Sequence, residues 1–149
     1  MESLKSYLSS NINDPMRKDH VLVVIKPDFL KYSTEFCNKF TENGYIIVKS
    51  KTVWLTLKEA KSLYKIHKDK DFYADLCNYM SSGQVMAFIL KKKSDNIFKE
   101  FGKLKDKIRD EYGQNEMRNA LHSSDSYKNF SHEAGIFFYN IHQHNLTEE

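Results

Sequence analysis

Short apolar runs separated by polar, turn-forming segments divide this chain into predicted strands and helices. Residues 21–25 read Val-Leu-Val-Val-Ile, a continuous and largely β-branched run that is typical of a strand covered on both faces. Lys26-Pro27 ends this strand, because proline cannot donate a hydrogen bond within a central ladder. Further strands are predicted over residues 45–54, 85–90 and 136–139.

Helices are predicted where the apolar residues recur at helical spacing. Residues 33–43 show this pattern, and Asn43-Gly44 is a suitable stop. The segment Thr56-Leu-Lys-Glu59 is a capping-box sequence and opens a second helix. Two more helices are predicted, one over residues 72–80 and a charged amphipathic one over residues 95–105.

The order of these elements predicts an α+β fold. This order matches a ferredoxin-like sandwich, with helices on one face of a four-stranded antiparallel sheet. It runs strand, helix, strand, two helices, strand, helix, strand. A chain of 149 residues suffices for one domain with a single core. We expect an N-terminal tail over residues 1–19, the domain over residues 20–140 and a polar C-terminal tail over residues 141–149.

Composition narrows the class of protein without naming its ligand. The formal charge of +3 and the pI of about 8.7 suit a polyanionic ligand such as a nucleotide. The densest basic run, residues 91–93, is interpreted as a solvated turn, and nucleic-acid binding is not expected. Cys37 and Cys77 lie in apolar-patterned segments, which favours small buried thiols in a reducing compartment. The first 19 residues have no apolar signal-peptide core, and no apolar run approaches a membrane span. We therefore expect a cytoplasmic protein.

The run around His122 carries the candidate chemistry. A neutral imidazole nitrogen is a good nucleophile near pH 7, and covalent capture of a phosphoryl group splits one transfer into two easier steps. Such a histidine needs a carboxylate to fix its tautomer and hydroxyls or amides to position the phosphate. Asp125 and Glu133 supply carboxylates, and Asn119, Ser123 and Ser124 supply the other groups. The remaining histidines within the domain, His20, His67 and His132, are predicted to be exposed.

Two motifs make this chain resemble the nucleoside diphosphate kinases. Residues 23–28 read Val-Val-Ile-Lys-Pro-Asp, similar to the Lys-Pro-Asp turn that ends the family's first strand. Residues 119–125 read Asn-Ala-Leu-His-Ser-Ser-Asp, similar to the family's Asn-x-x-His-Gly-Ser-Asp signature except for a serine in place of the glycine. The resemblance extends from about residue 21 to 138. It implies a ferredoxin-like fold and transfer of the γ-phosphoryl group from a nucleoside triphosphate to a nucleoside diphosphate, through a phosphohistidine at His122.

The resemblance also implies roles for individual side chains. Glu133 would bond one ring nitrogen of His122, and Ser124 would bond that carboxylate or the imidazole region. Phe72 and Leu76 would border a base slot without base-specific hydrogen bonds, and Asn119 would contact the sugar. The implied catalytic residues are Lys26, Tyr64, His122, Ser124 and Glu133, and the implied nucleotide-binding residues are Lys26, Phe72, Leu76, Arg109 and Asn119. Mg²⁺ would be carried by the nucleotide phosphates, with no metal site on the protein.

Several of these residues have a simpler interpretation. From the residues alone, Lys26 fits a phosphate-binding lysine and a lysine that marks a strand end equally well. Tyr64 and Phe72 also fit core packing, and Arg118 fits a structural role.

The sequence departs from the family between Gly83 and Ile108. This segment is short and lacks the Asn-Pro and Pro-Gly loop that normally precedes an Ile-Arg-Gly segment. A second phosphate-binding arginine and a threonine have no counterpart there, and the candidates to take the arginine's place are Lys99, Lys103 and Lys105. These departures indicate a divergent branch of the family. They leave open an alternative, a catalytically weak or inactive nucleotide-binding or scaffold protein. The resemblance further implies a homo-oligomer built from dimers, and the short loop predicts that any hexamer dissociates more easily.

Overall fold

The computed structural model describes residues 18–139, which form one sheet and the helices packed on it. The strands are β1 (His20–Ile25), β2 (Ile46–Trp54), β3 (Gln84–Lys91) and β4 (Leu121–Ser123). The helices are α1 (Ser33–Glu42), α2 (Leu57–Leu63), α3 (Tyr73–Met80), α4 (Ile97–Tyr112) and α5 (Tyr127–Ala134), with 3-10 turns at Leu30–Tyr32 and Lys65–His67 and a π-helical turn at Gly135–Tyr139.

The sheet is four-stranded and antiparallel, as the sequence predicts. Its four strands lie in the order β2-β3-β1-β4, and every neighbouring pair is antiparallel. Val24 at the centre of β1 faces Ala87 of β3 on one side and His122 of β4 on the other. The central strand β1 is fully buried, as its continuous apolar run predicts.

Both faces of the sheet are covered, so the expectation of helices on one face was wrong. Alternate residues of β1 enter two separate cores: Leu22 and Val24 pack with α2, α3 and α5, whereas Val21, Val23 and Ile25 pack with α1 and α4. Because successive side chains of a strand point to opposite faces, a central strand that is apolar at every position needs a layer on each side.

The predicted last strand over residues 136–139 was also wrong. These residues continue α5 as a π-helical turn, and the fourth strand is β4, the three residues centred on His122. A short apolar run does not distinguish a strand from a buried helical segment. The helical start at Ser126, whose Oγ accepts a hydrogen bond from the Asn129 amide at 3.1 Å, sets the chain on a helical path that buries Ile136 and Phe137.

Two helix ends have consequences for the site. The predicted capping box is confirmed: Thr56 Oγ1 accepts from the Glu59 amide at 3.1 Å, and Glu59 Oε1 accepts from the Thr56 amide at 2.9 Å. Helix α4 runs to Tyr112 instead of ending near residue 105, because Ile108 continues its buried face. Arg109 therefore lies on a helix and not in a loop.

The predicted tails lie almost entirely outside the described residues. The same is true of His142 and His144, whose spacing is compatible with metal binding but which the sequence assigns to the solvated C-terminal tail. Lys18 and Asp19, assigned to the tail, are bound to the domain: their carbonyls accept hydrogen bonds from the amides of Ile97 at 3.0 Å and Lys92 at 3.1 Å. Within residues 18–139, no helix is long and apolar enough to cross a membrane.

Candidate active site

A cavity of about 750 Å³ opens where the C-terminal end of β1, β4, α4 and the segment from α2 to α3 meet. Most side chains that the sequence predicts for the site line it together. They are Lys26, Tyr64, Phe72, Leu76, Arg109, Asn119, His122 and Glu133. Ser124 is the predicted site residue that does not line this cavity.

His122 and Glu133 form the centre of the site. Strand β4 holds His122 beside β1, and α5 brings Glu133 across, so that Nε2 of His122 lies 2.5 Å from Oε1 of Glu133. The two side chains are only 13% and 3% exposed. A buried carboxylate that accepts a hydrogen bond from Nε2–H leaves the lone pair of a neutral ring on Nδ1. No described residue makes a hydrogen bond to Nδ1.

The backbone just before His122 is strained. Ala120 has a positive φ of 77°, and the Leu121 amide donates to the Asn119 carbonyl two residues back at 3.0 Å. This is a γ-turn in its rare form, and a non-glycine residue held there costs about 1–3 kcal/mol. The turn is fixed by the Lys26 amide, which donates to the Ala120 carbonyl at 2.9 Å. It links Asn119, Lys26 and His122, which all line the cavity.

Lys26 is a buried cation with neutral partners. Its side chain is 4% exposed, and Nζ donates to Asn119 Oδ1 at 2.7 Å and to the Met117 carbonyl at 3.1 Å. Burial, together with the positive charges of Arg109 and Lys105, lowers the pKa of Lys26 to about 7. The ammonium therefore lies in surroundings that favour an anion beside it.

Arg109 adds a second cation, which is half-buried, from α4. Its Nη2 donates to the Leu121 carbonyl at 2.7 Å, while its buried Nε has no hydrogen-bond partner among the described residues. Burial is the main cause that lowers the pKa of Arg109. Arg109 lines the cavity, and a guanidinium that makes one bond to the protein keeps other donors that are suited to bind a phosphate oxygen.

An aromatic row leads from His122 to the cavity mouth. The Tyr64 ring contacts the His122 ring edge-on with centroids 5.2 Å apart, and the buried Tyr64 hydroxyl has no hydrogen-bond partner within residues 18–139. Burial, and then the Glu133 charge, raises the pKa of Tyr64. Phe72 is 48% exposed, so it is not a core residue. Leu76 is buried in the core and still borders the cavity.

Comparison with known proteins agrees with this geometry. A sequence model of the nucleoside diphosphate kinase family matches residues 19–142.

This chain belongs to the nucleoside diphosphate kinase family.

Two relatives, both named nucleoside diphosphate kinase, illustrate the match. The protein from Thermoplasma volcanium is 34% identical over 130 residues, which cover 80% of this chain and 88% of the relative. The protein from Helicobacter pylori strain P12 is 34% identical over 131 residues, which cover 81% of this chain and 96% of the relative. The crystal structure of the Aquifex aeolicus nucleoside diphosphate kinase has a TM-score of 0.69 at 23% identity, and covers 79% of this chain and 93% of that one. The predicted ferredoxin-like α+β fold is confirmed.

Ser124 differs from what the family resemblance implied. Its hydroxyl accepts a hydrogen bond from the Leu22 amide at 2.9 Å and lies 3.5 Å from the Leu22 carbonyl, and the side chain is 1% exposed. It therefore bonds neither Glu133 nor the imidazole. Because the Ser124 amide also donates to the Leu22 carbonyl at 2.9 Å, Ser124 fixes the end of β4 to β1. Arg118 has the structural role considered for it: it pairs with Asp28 and lies over the Tyr79 ring at 4.5 Å.

Two residues that line the cavity were not identified as site residues from the sequence. His67, predicted to be exposed, is half-buried, lines the cavity, and stands with its ring 5.6 Å from that of Phe72. Its position three residues after Tyr64 was the available signal, because such residues share a helical face. Lys105 lines the cavity as well, and the sequence left it as one candidate of three. His20 and His132, also predicted to be exposed, are buried and half-buried.

The described residues offer no dedicated metal site. Within residues 18–139, no three His, Cys, Asp or Glu side chains are grouped so as to hold a metal ion. Two of the carboxylates that line the cavity are already engaged: Glu133 by His122, and Asp125 by the side-chain amide of Asn129 at 2.5 Å.

Proposed function

We propose that this protein is a nucleoside diphosphate kinase that acts by a ping-pong mechanism through His122. Nδ1 of His122 attacks the γ-phosphorus of a nucleoside triphosphate, and the bond to the oxygen that bridges to the β-phosphate breaks. The nucleoside diphosphate leaves with that electron pair. A second nucleoside diphosphate then attacks the phosphohistidine with a β-phosphate oxygen and restores the neutral imidazole. The single observation that carries this proposal is the pairing of His122 Nε2 with the buried Glu133 at 2.5 Å.

The cations around His122 support phosphoryl transfer. Negative charge spreads over the phosphoryl oxygens in the transition state, so catalysis depends on fixed positive groups at those oxygens. In our proposal Lys26 and Arg109 contact the phosphates from β1 and α4. Tyr64 donates its hydroxyl to the same group, which would give a partner to the hydroxyl that no described residue bonds. Ser124 acts indirectly, by holding β4 in place.

The nucleoside occupies the outer part of the cavity. We propose that the base stacks on Phe72, which is half-exposed at the mouth, and that Leu76 borders the slot. Stacking alone is tolerant of the base, because every base offers a π face. Asn119 contacts the sugar in this proposal. Its amide now accepts from Lys26 and donates to the Glu116 carbonyl at 2.7 Å, so sugar binding requires a change of partner.

Magnesium enters this proposal as part of the substrate. Mg²⁺ prefers phosphate oxygens and water and seldom needs a protein cage, which fits a cavity whose central groups are cationic. The ion would neutralise charge on the β- and γ-phosphates. The side chains would bind the remaining oxygens.

The alternative of a weak or inactive nucleotide-binding protein is not favoured. Its main support was the short segment before Ile108. Helix α4 forms the second half of that segment and carries Arg109, which lines the cavity in spite of the missing loop.

A homo-oligomer built from dimers remains part of the proposal. Strand β2 lies at the edge of the sheet, and Ile46 and Trp54 at its two ends are each 62% exposed. An unpaired strand edge with apolar side chains is suited to association with a second copy. Light scattering over a dilution series should show a dimer as the smallest stable unit. A hexamer that persists at nanomolar concentration would contradict the prediction that the short loop makes a hexamer easier to dissociate. The two free cysteines support a cytoplasmic location as a further proposal.

Labelling with γ-³²P ATP tests the proposed function. The purified protein should form an acid-labile phosphoprotein and should pass the label to GDP. His122→Gln should abolish both reactions while ADP still binds, because the change removes the nucleophile with little change in volume. His132→Gln is the matched control, since His132 Nε2 lies 2.9 Å from the Ser62 carbonyl outside the cavity, and it should be labelled like the wild type. Label on the His122→Gln protein would contradict the proposal.

A further inference from the structure

Lys105 is a cation that lines the cavity and has no hydrogen-bond or ion-pair partner within residues 18–139. It lies on α4 one helical turn before Arg109, and both side chains line the cavity. Lys99 and Lys103 belong to the same helix but are exposed and do not line it. Of the three lysines that could take the place of the missing arginine, the fold brings one into the site.

The side chains of Lys26, Arg109 and Lys105 differ in the hydrogen bonds that they donate to the described residues. Lys26 donates to Asn119 and to the Met117 carbonyl, and Arg109 donates to the Leu121 carbonyl. Lys105 makes no hydrogen bond or ion pair with any residue that the structure describes. Its ammonium is therefore the group in this cluster that is most available to a ligand.

The surroundings of Lys105 favour an anionic ligand. Burial is the largest cause that lowers the pKa of Lys105, and the Arg109 charge adds to it, against the weaker opposing effects of Asp106, Asp125 and Glu133. A half-buried ammonium beside two other cations is costly to keep charged. Phosphate oxygens among the three cations would remove that cost and satisfy the free donors.

We propose that Lys105 binds the phosphates of the nucleoside di- or triphosphate directly, together with Lys26 and Arg109. This inference rests on the proposed function, because it assigns a further residue to the same site. Lys105 is a mobile point charge with three donors rather than a planar fork. It can therefore follow the phosphoryl group as that group moves between the nucleotide and His122.

Calorimetric titrations with ADP, AMP and adenosine test the contact. Lys105→Gln should weaken ADP binding by about ten- to a hundredfold, as expected for the loss of a charged hydrogen bond. AMP should be affected less, and adenosine should bind as to the wild type. Lys105→Arg should restore most of the affinity for ADP. Lys103→Gln, on the exposed face of the same helix, is the control and should bind all three ligands like the wild type.

Thermal unfolding of the ligand-free variants separates this role from a structural one. Lys105→Gln should unfold at a higher temperature than the wild type, because it removes an unpaired cation from beside Arg109 and Lys26. A lysine that supports the fold would give the opposite shift. A Lys105→Gln protein that is less stable, or that fails to fold, would overturn the proposal.

The outcomes also separate this inference from the proposed function. If the wild type transfers label from ATP to GDP and Lys105→Gln binds ADP normally, or loses adenosine equally, the role of Lys105 is wrong and the kinase stands. If Lys105→Gln selectively loses ADP but the wild type forms no phosphohistidine, Lys105 is a phosphate ligand and the kinase mechanism is wrong. A wild type that does not bind ADP would overturn both.

Discussion

The core under α1 and α4 and the cavity at the end of β1 differ in how well their buried side chains are packed and hydrogen-bonded. In the core, Phe40 packs edge-to-face on Phe88 and also contacts Phe101, each with ring centroids 5.6 Å apart, and all three are at most 1% exposed. In the cavity, the polar side chains of Lys26, Tyr64 and Arg109 are shielded from water and make fewer hydrogen bonds than their donors allow. Two of the three buried side-chain atoms without a partner among the described residues, Tyr64 Oη and Arg109 Nε, belong to residues that line the cavity.

The two regions therefore contribute differently to the stability of the fold. Apolar burial and close packing stabilise the sheet and its helices. The cavity, in contrast, contains a strained Ala120, a buried ammonium at Lys26 and a Tyr64 hydroxyl without a partner among the described residues, and each of these lowers the stability of the fold. Such exceptions to packing rules concentrate where a ligand completes the structure.

Phe40→Ala should have the largest effect and should act on the core alone. Removal of a fully buried phenylalanine costs about 3–5 kcal/mol of the free energy of unfolding. Urea unfolding would measure this loss, and phosphoryl transfer below the unfolding transition should be nearly unchanged. A Phe40→Ala protein with normal stability, or with impaired transfer while folded, would contradict the separation of the two regions.

The pH dependence of ADP binding should reveal the lowered pKa of Lys26. The pKa of Lys26 is lowered to about 7, so Lys26 in the free protein loses its proton as the pH rises through 7. Lys26 beside a bound phosphate keeps its proton, because the anion stabilises the ammonium. Binding then takes up a proton, and affinity should fall above pH 7 by at most about tenfold per pH unit for this group. Titrations without Mg²⁺ between pH 7 and 9 would measure the slope. Lys26→Met should bind weakly with a shallower slope, and an equal slope would show that another group titrates.

Phe72→Ala should weaken nucleotides of all bases together. Loss of a stacking platform costs about 1–3 kcal/mol of binding free energy, and a half-exposed ring contributes little to the core. Dissociation constants for ADP, GDP and CDP would measure this. A loss confined to purines would point to hydrogen-bond readout, for which His67 is the neighbouring candidate.

Tyr64→Phe should have the smallest effect on the fold and should be stabilising. A buried hydroxyl without a protein partner costs about 1 kcal/mol or more, and phenylalanine keeps the ring contact with His122. Chemical unfolding should therefore show a gain in stability of about 1 kcal/mol, while single-turnover phosphorylation slows. A loss of stability would indicate that the hydroxyl is satisfied in the free protein.

The sequence predicted the parts of the fold that local pattern determines. The β1 run and the capping box at Thr56 and Glu59 follow from periodicity and capping chemistry, and the antiparallel sheet follows from the order of the elements. Strand β4 could not be predicted, since three residues carry no alternation and their strand conformation comes from pairing with β1. The run at residues 136–139 was assigned wrongly because its helical continuation from α5 depends on tertiary burial.

The candidate site was predicted where a side chain belongs to a motif and was missed where it depends on packing. His122, Lys26 and Asn119 lie in the two motifs. His67 and Lys105 lie outside them, and they reach the cavity because a 3-10 turn follows Tyr64 and because α4 extends to Tyr112. Lys105 lies within the predicted helix as well, but which face of the helix borders the cavity depends on packing, so the orientation of Lys105 could not be predicted from local sequence.

The ring nitrogen that carries the phosphoryl group tests the central claim most directly. The purified protein would be phosphorylated with MgATP, freed of nucleotide, and examined by ³¹P NMR after proteolysis under alkaline conditions. Because Glu133 holds Nε2 of His122 at 2.5 Å, we expect the phosphorus on Nδ1 of His122. A phosphoryl group on Nε2, or on any other residue, would contradict the account.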